Sequence, residues 1–350
     1  MTHTGLADFK RASYRDIPLY STPRERCAVD LSDNTNLWGA PPSALRALQA
    51  IVDETVTRYP PAFEPALREA LANYAGVSPD MIVAGCGSDD VLDSAIRAFA
   101  EPGDLVCLPA PSFSMIPVFA RASGLVPVEV PLTAQLDADV AVMLATGARI
   151  TYLCSPNNPT GQAFSRESVE PIVQGAAGVV IIDQAYSEFG GESFTDLVSA
   201  DRPVLVTRTL SKAFGLAGLR VGYGIGSPDV VGEIMKARGP YKVNALAERA
   251  GIAALQDDQT WVADRVADVV ANRSRFRQEL AQRGIASLPS DANFVLIPVR
   301  DCVAASGQLR RLGVGVRELP SLPGIGDALR VGIGPWDLMQ RCLDAFGTVS

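Results

Sequence analysis

The chain has 350 residues, 47% hydrophobic and 20% charged, with a formal net charge of -8, which describes one large globular domain plus a smaller one and excludes a disordered or fibrous chain. The acidic balance argues against a nucleic-acid footprint and against an anionic membrane surface, so an anionic ligand must be met by local arginines. The single histidine, His3, lies in a polar terminal arm, which leaves no zinc site to propose and removes Ser-His-Asp and Cys-His catalysis unless that residue serves.

The six cysteines are far apart, with no C-x-x-C pair, and read as small buried hydrophobes in a reducing compartment. Met1 to Asp16 has no apolar h-region, and no run approaches the ~20 apolar residues of a membrane span. The expected location is the cytoplasm.

The chain opens with an arm broken at Pro18 and Pro23, then a short strand over Asp30 to Ser32. Asp33-Asn34-Thr35-Asn36-Leu37-Trp38-Gly39 is a polar loop. Apolar residues at helical spacing predict a helix from Ala44 to Thr57, opened by Pro42 and Ser43. Tyr59 precedes Pro60, which excludes it from helical dihedrals and either frees its hydroxyl or pins its ring at a helix end. A second helix is expected over Pro65 to Ala75.

Met81 to Ala84 reads as a strand running into Gly85-Cys86-Gly87-Ser88-Asp89-Asp90, with helical spacing from Leu92 to Phe99. A strand, a glycine turn and a helix start gather unpaired backbone N–H groups at the positive end of a helix, a place that suits phosphate at Ser88 and Asp89. Such turns are common, and neither G-x-G-x-x-G nor a P-loop is present. Asp104 to Leu108 is strand-like and leads to Phe113, which either stacks on an aromatic ligand or joins the core.

Further strands over Leu125 to Val130 and Arg149 to Leu153 lead to Cys154-Ser155-Pro156-Asn157-Asn158-Pro159-Thr160-Gly161. Prolines and glycine fix this backbone, presenting Asn158 with an amide that can donate to a phenolate oxygen. A helix from Ser165 to Ala176 returns the chain to an apolar strand, Gly178 to Ile182, ending at Asp183-Gln184-Ala185-Tyr186. A carboxylate at the tip of a buried strand is costly unless it meets a cation, and a protonated pyridine nitrogen is such a partner for Asp183. Tyr186 could donate to the ring oxygen.

A strand over Val204 to Thr207 delivers Thr209-Leu210-Ser211-Lys212-Ala213-Phe214-Gly215-Leu216, with Arg220 beyond. Hemmed in by apolar neighbours, Lys212 loses hydration, its pKa falls, and the free amine becomes available to attack a carbonyl. Thr209, Ser211 and Arg220 together could hold a phosphate dianion. An imine-forming lysine beside a phosphate cradle suggests pyridoxal phosphate, the alternative being a surface lysine before a glycine-rich turn. Val221 to Ile225 closes a mainly parallel sheet covered on both faces.

A long helix from Gln259 to Arg283 carries Arg273 among the charges assigned to its wet side. Strands over Asn293 to Pro298 and Val314 to Val316 flank a helix from Val303 to Leu312, and Trp336 to Phe346 is the last helix. Arg317 ends a strand. Arg330 alternates with Leu329 and Val331, so its fork points away from them and suits a carboxylate.

These segments together resemble the fold-type-I aminotransferases of class I and II. The match at Ser155-Pro156-Asn157-Asn158-Pro159-Thr160-Gly161 is complete, and the spacing from Thr209 through Lys212 to Arg220 is similar to the histidinol-phosphate aminotransferase branch. The resemblance implies a three-layer αβα fold with a mainly parallel sheet and a smaller α+β domain. Its parts are an arm (1–38) joining the small domain, a large cofactor-binding domain (39–258) and a small domain (259–350). It implies that Lys212 holds pyridoxal phosphate and then moves protons as general base and acid. Asp183 faces the ring nitrogen, Asn158 and Tyr186 the ring oxygen, and Phe113 the ring face; Ser88, Asp89, Thr209, Ser211 and Arg220 take the phosphate. Tyr59 reaches the phosphate of a neighbouring subunit, which implies a homodimer with shared sites. Arg330 and Gly39 serve the substrate carboxylate, and Arg317, helped by Tyr20, the phosphate of a histidinol-phosphate-like amino donor; Arg317 also suits a surface salt bridge. The other substrate is a 2-oxo acid. Departures are Asp90 for the usual Glu, Gln184 for Glu, and Phe113 where tyrosine is frequent. Relatives on this framework act on aromatic amino acids or in secondary metabolism, and a threonine-phosphate-type decarboxylase or a non-catalytic regulator are the alternatives.

Overall fold

The computed structural model describes residues 11–15, 17, 19 and 27–347. In chain order it builds β1 (Val29–Asp30), α1 (Pro42–Gln49), α2 (Asp53–Thr57), α3 (Pro65–Ala75), β2 (Ile82–Cys86), α4 (Gly87–Phe99), β3 (Leu105–Ala110), α5 (Met115–Ala122) and β4 (Val126–Pro131). There follow α6 (Val140–Ala145), β5 (Ile150–Cys154), α7 (Arg166–Gly175), β6 (Val179–Asp183), β7 (Val204–Thr209), β8 (Val221–Gly226), α8 (Pro228–Arg238), α9 (Ala245–Asp257) and α10 (Gln259–Gln282). The chain ends with β9 (Phe294–Pro298), α11 (Cys302–Arg311), β10 (Val314–Gly315), β11 (Arg317–Leu322), β12 (Gly326–Gly332) and α12 (Trp336–Phe346).

Seven strands form one sheet in the order β2-β8-β7-β6-β5-β3-β4. Strand β8 is antiparallel to β2 and β7, and the other pairings are parallel. Strands β5, β6 and β8 are buried at every residue, the pattern of a sheet covered on both faces. Residues of α4, α5 and α8 pack with Val83, Ile181 and Leu205 on one face. On the other, α3, α6, α7 and α9 pack with Ile182 and Val206 in a core that runs on into the C-terminal elements. This is the expected three-layer architecture.

A three-stranded antiparallel sheet, β11-β12-β9, forms the C-terminal part. Strand β1 pairs in parallel with β10, Val29 opposite Val314, so the start of the chain is bound to its end. Gly332 N–H also donates to Leu31 O at 2.8 Å.

Four local expectations change. The helix over Ala44 to Thr57 is two, because Asp53 and Glu54 favour the start of a new helix rather than its middle. Helix α4 begins at Gly87, ahead of the apolar repeat. Arg273 is buried rather than wet, its Nη1 donating to Phe189 O and Ala292 O, so α10 binds the turn after β6 to the approach to β9. Arg317 begins β11 rather than ending a strand, since the chain changes partner from β1 to β12 after Gly315. Pro320 is tolerated there because β11 lies at the sheet edge.

Candidate active site

Strands β3, β5, β6 and β7 end on the same side of the sheet, and the loops after them carry Phe113, Asn158, Tyr186 and Lys212. This is where open α/β sheets bind ligands. A cavity of about 510 Å³ lies there, lined by these residues together with Ser88, Asp89, Asp183, Thr209, Ser211, Arg220, Arg317 and Arg330.

Lys212 sits at the centre. Its Nζ donates to Asp33 O at 3.4 Å and lies 5.7 Å from the Tyr186 ring centre. Burial, then the charge of Arg330, lowers its pKa to about 8, which makes the free amine accessible near neutral pH. The amine is a competent nucleophile for an aldehyde.

Asp183 ends β6 with its carboxylate buried. Oδ2 accepts from Tyr152 Oη at 2.9 Å, and Oδ1 from Thr207 Oγ1 at 3.1 Å and Ala185 N–H at 3.2 Å. Burial pushes its pKa up to about 6 although these donors hold it down. Three donors around a buried anion leave its cavity side suited to a cationic N–H. Tyr186 accepts from Asn34 Nδ2 at 3.3 Å, and burial raises its pKa to about 12, so it stays a phenol.

The other end of the cavity is polar and closely packed. Arg220 has φ of 57°, and its guanidinium reaches Ser211 Oγ at 3.4 Å and Asp89 Oδ2 at 3.3 Å. Ser211 N–H donates to Thr209 Oγ1 at 3.1 Å. A Cβ on Gly87 would stand 2.5 Å from Arg220 Nη2, and one on Gly222 would stand 2.1 Å from Ser88 N. The backbone contact requires glycine at 222, and a φ of 78° favours it at 87, where the cradle begins α4.

Arg330 and Arg317 are direct partners across β12 and β11 and both line the cavity. Arg330 donates to Asn158 Oδ1 at 2.7 Å and to Ser32 O at 3.0 Å. Phe113, Met115, Leu319 and Leu322 add apolar surface to the same cavity.

Two predicted residues stand away from this cavity. Gly39 has φ of 106° and packs its carbonyl against Gly215, three residues beyond Lys212. Tyr59 is 84% exposed and stacks on Tyr241 at 5.1 Å, on a different surface. Tyr20 lies outside the described residues. Asn34, Tyr152 and Thr207 went unpredicted. The αL backbone of Asn34, with φ of 54°, suits asparagine in the loop the sequence marks. Tyr152 and Thr207 read as ordinary strand residues.

Residues 27–346 match the family model described as aminotransferase class I and II, and the chain belongs to that family of pyridoxal-phosphate-dependent aminotransferases. It is 37% identical to a histidinol-phosphate aminotransferase of Roseiflexus castenholzii, over 94% of this chain and 91% of that one. A histidinol-phosphate aminotransferase of Thermoanaerobacter sp. (strain X514) is 34% identical, over 86% and 87%. Among solved structures, the chain is similar to a histidinol-phosphate aminotransferase from Sinorhizobium meliloti in complex with pyridoxal-5'-phosphate, with a TM-score of 0.84, 25% identity and 95% of both chains covered.

Proposed function

We propose that this chain moves an amino group between a phosphorylated amino alcohol of the histidinol-phosphate kind and a 2-oxo acid. The observation that carries the reading is the Arg317–Arg330 pair. Both guanidinium groups line one cavity, and each offers a planar fork of donors that matches carboxylate or phosphate oxygens. The relatives named histidinol-phosphate aminotransferase support the same substrate class.

The residues present fit the cofactor. The cradle closed by Gly87 and Gly222, with the backbone N–H groups of Ser88 and Asp89 and the side chains of Thr209, Ser211 and Arg220, would hold its phosphate. Asp183 would hold the pyridine nitrogen, Asn158 and Tyr186 the ring oxygen, and Phe113 the ring face. Bound pyridoxal phosphate supplies an electron sink for the pair released at the substrate Cα. Lys212 takes the Cα proton and returns it as general base and acid. Arg330 takes the α-carboxylate of the 2-oxo acid, with Gly39 behind the lysine loop, and Arg317 takes the phosphate of the amino donor, aided by Tyr20.

We further infer a homodimer in which Tyr59 completes the neighbour's phosphate site. It rests on an exposed ring beside Val56 and Tyr241, which a second copy would cover. We divide the chain into an arm (1–38), a cofactor domain (39–258) and a small domain (259–350). We place it in the cytoplasm, consistent with the thiols of Cys107, Cys154, Cys302 and Cys342. No helix among the described residues is long and apolar enough to cross a membrane.

The test is turnover of histidinol phosphate, histidinol and O-phosphothreonine, each with a 2-oxo acid, following keto product and carbon dioxide. Histidinol phosphate should be preferred, and Arg317→Gln should raise its KM about 10–100-fold while leaving histidinol unaffected. Carbon dioxide release, or equal use of histidinol, would refute the reading.

A further inference from the structure

We propose that Tyr152 is a positioning residue that fixes where the proton rests between Asp183 and the cofactor's pyridine nitrogen. The placement follows from strand register. Cys154 of β5 lies opposite Asp183 of β6, and Tyr152, two residues earlier on the same face, stands diagonal to the carboxylate. From there its hydroxyl reaches Asp183 Oδ2 at 2.9 Å. Thr207, opposite Asp183 on β7, occupies Oδ1 from the other side.

The core does not need this hydroxyl. Tyr152 is 1% exposed in an apolar strand where phenylalanine would fill nearly the same volume. A buried hydroxyl costs free energy unless it is bonded, and this one donates to Asp183 with the Cys154 sulfur as a further neighbour. Burial first, and then the charge of Asp183, holds the phenol well above its usual range, so it donates at every working pH and cannot receive the proton itself.

Fixed donation to Oδ2 has a chemical consequence. It draws charge from the carboxylate and makes it a weaker base, so a proton shared with the pyridine nitrogen stays on nitrogen, where it sustains the electron sink. It also directs the lone pairs left over toward the cavity that Asp183 lines. The other ionisable groups near the carboxylate are Asp89 from α4, Cys154 from β5 and Tyr186. Asp89 is anionic and makes the carboxylate more basic, while burial holds Cys154 and Tyr186 in their neutral forms. None of the three donates to Asp183 in the hydrogen bonds described. The inference is independent of which amino donor the enzyme prefers.

The experiment uses the substrate-free holoenzyme reconstituted with pyridine-15N pyridoxal phosphate, reading the 15N chemical shift at neutral pH. Tyr152→Phe should lower the ratio of N-protonated to O-protonated pair about tenfold, moving the shift toward the unprotonated value. Replacing Tyr152 by 3,5-difluorotyrosine keeps the ring and its packing but strengthens the donor, and should move the shift the opposite way. The kcat of Tyr152→Phe should fall about tenfold, with KM for the amino donor little changed. A 15N shift unmoved in the difluorotyrosine protein would overturn the proposal, as would one unmoved in a folded Tyr152→Phe protein of reduced activity. Because no substrate is present in the 15N measurement, a wrong substrate assignment cannot produce either result.

Discussion

Arg330, in the middle strand of the C-terminal sheet, donates to Asn158 Oδ1 at 2.7 Å across to the loop after β5. The bond leaves the Asn158 amide N–H₂ to donate into the cavity, and a second donation to Ser32 O at 3.0 Å fixes the guanidinium plane.

Arg330→Lys keeps the charge and removes the fork. We expect kcat/KM for the 2-oxo acid to fall about 10–100-fold, the worth of one or two charge-assisted hydrogen bonds. The melting temperature should stay close to that of the wild type. Steady-state kinetics beside a thermal melt check this, and unchanged kcat/KM would remove Arg330 from the substrate site.

Burial and Arg330 lower Lys212 to about 8, so its amine loses its proton about two pH units before an ordinary lysine. In the cofactor-free protein, reductive labelling followed by mass spectrometry should show Lys212 rising through pH 8, with surface lysines rising near their usual range. Lys212→Ala should lower kcat by at least about 10²–10⁴-fold, the typical weight of general base catalysis. Turnover at the wild-type rate would end the mechanistic assignment.

Gly222→Ala places a Cβ 2.1 Å from Ser88 N, backbone against backbone. The helix start must move, and the dissociation constant for pyridoxal phosphate should rise at least about tenfold, in line with an overpacking cost of ~1–3 kcal/mol. Equilibrium dialysis of the cofactor measures it. Gly218→Ala, where a Cβ meets no atom within 4 Å, should bind as the wild type does.

Glu188 titrates against Arg208, with Tyr74 and Tyr223 as its other neighbours, and its Oε2 is buried without a hydrogen-bond partner among the described residues. Burial raises it from 4.5 to about 7. The folded state therefore binds more protons than the unfolded one between those values, and the stability this group contributes is full below 4.5 and lost as pH rises through 7. Glu188→Gln should gain on the wild type by about 3 kcal/mol between pH 4.5 and 8. Urea unfolding at both pH values gives the difference, and a constant gap would contradict it.

The alternating apolar runs fixed the large sheet in advance, because buried parallel strands are written as continuous Val, Ile and Leu, and β5, β6 and β7 appear within a few residues of their expected places. Lys212, Asp183 and Asn158 were legible because each is a polar residue at the end of such a run. Tyr152 was not, since an aromatic inside a strand reads as core, and only the β5–β6 register reveals that its hydroxyl meets a carboxylate. The break between α1 and α2 was written in Asp53 and Glu54, but the apolar period running through them hid it. The placement of Arg317 depended on which strand its neighbours pair with, a long-range choice that local spacing does not contain.

The pairing of Arg317 with Arg330 also divides the site between two separately built sheets. The seven-stranded sheet ends in sequence with β8, so Ser88, Asp183, Lys212 and Arg220 all belong to it or to the segments that join its strands, whereas Arg317 and Arg330 come from β11 and β12. The reactive lysine and the phosphate cradle are thus drawn from stretches that precede the two arginines, which are contributed by the last sheet of the chain.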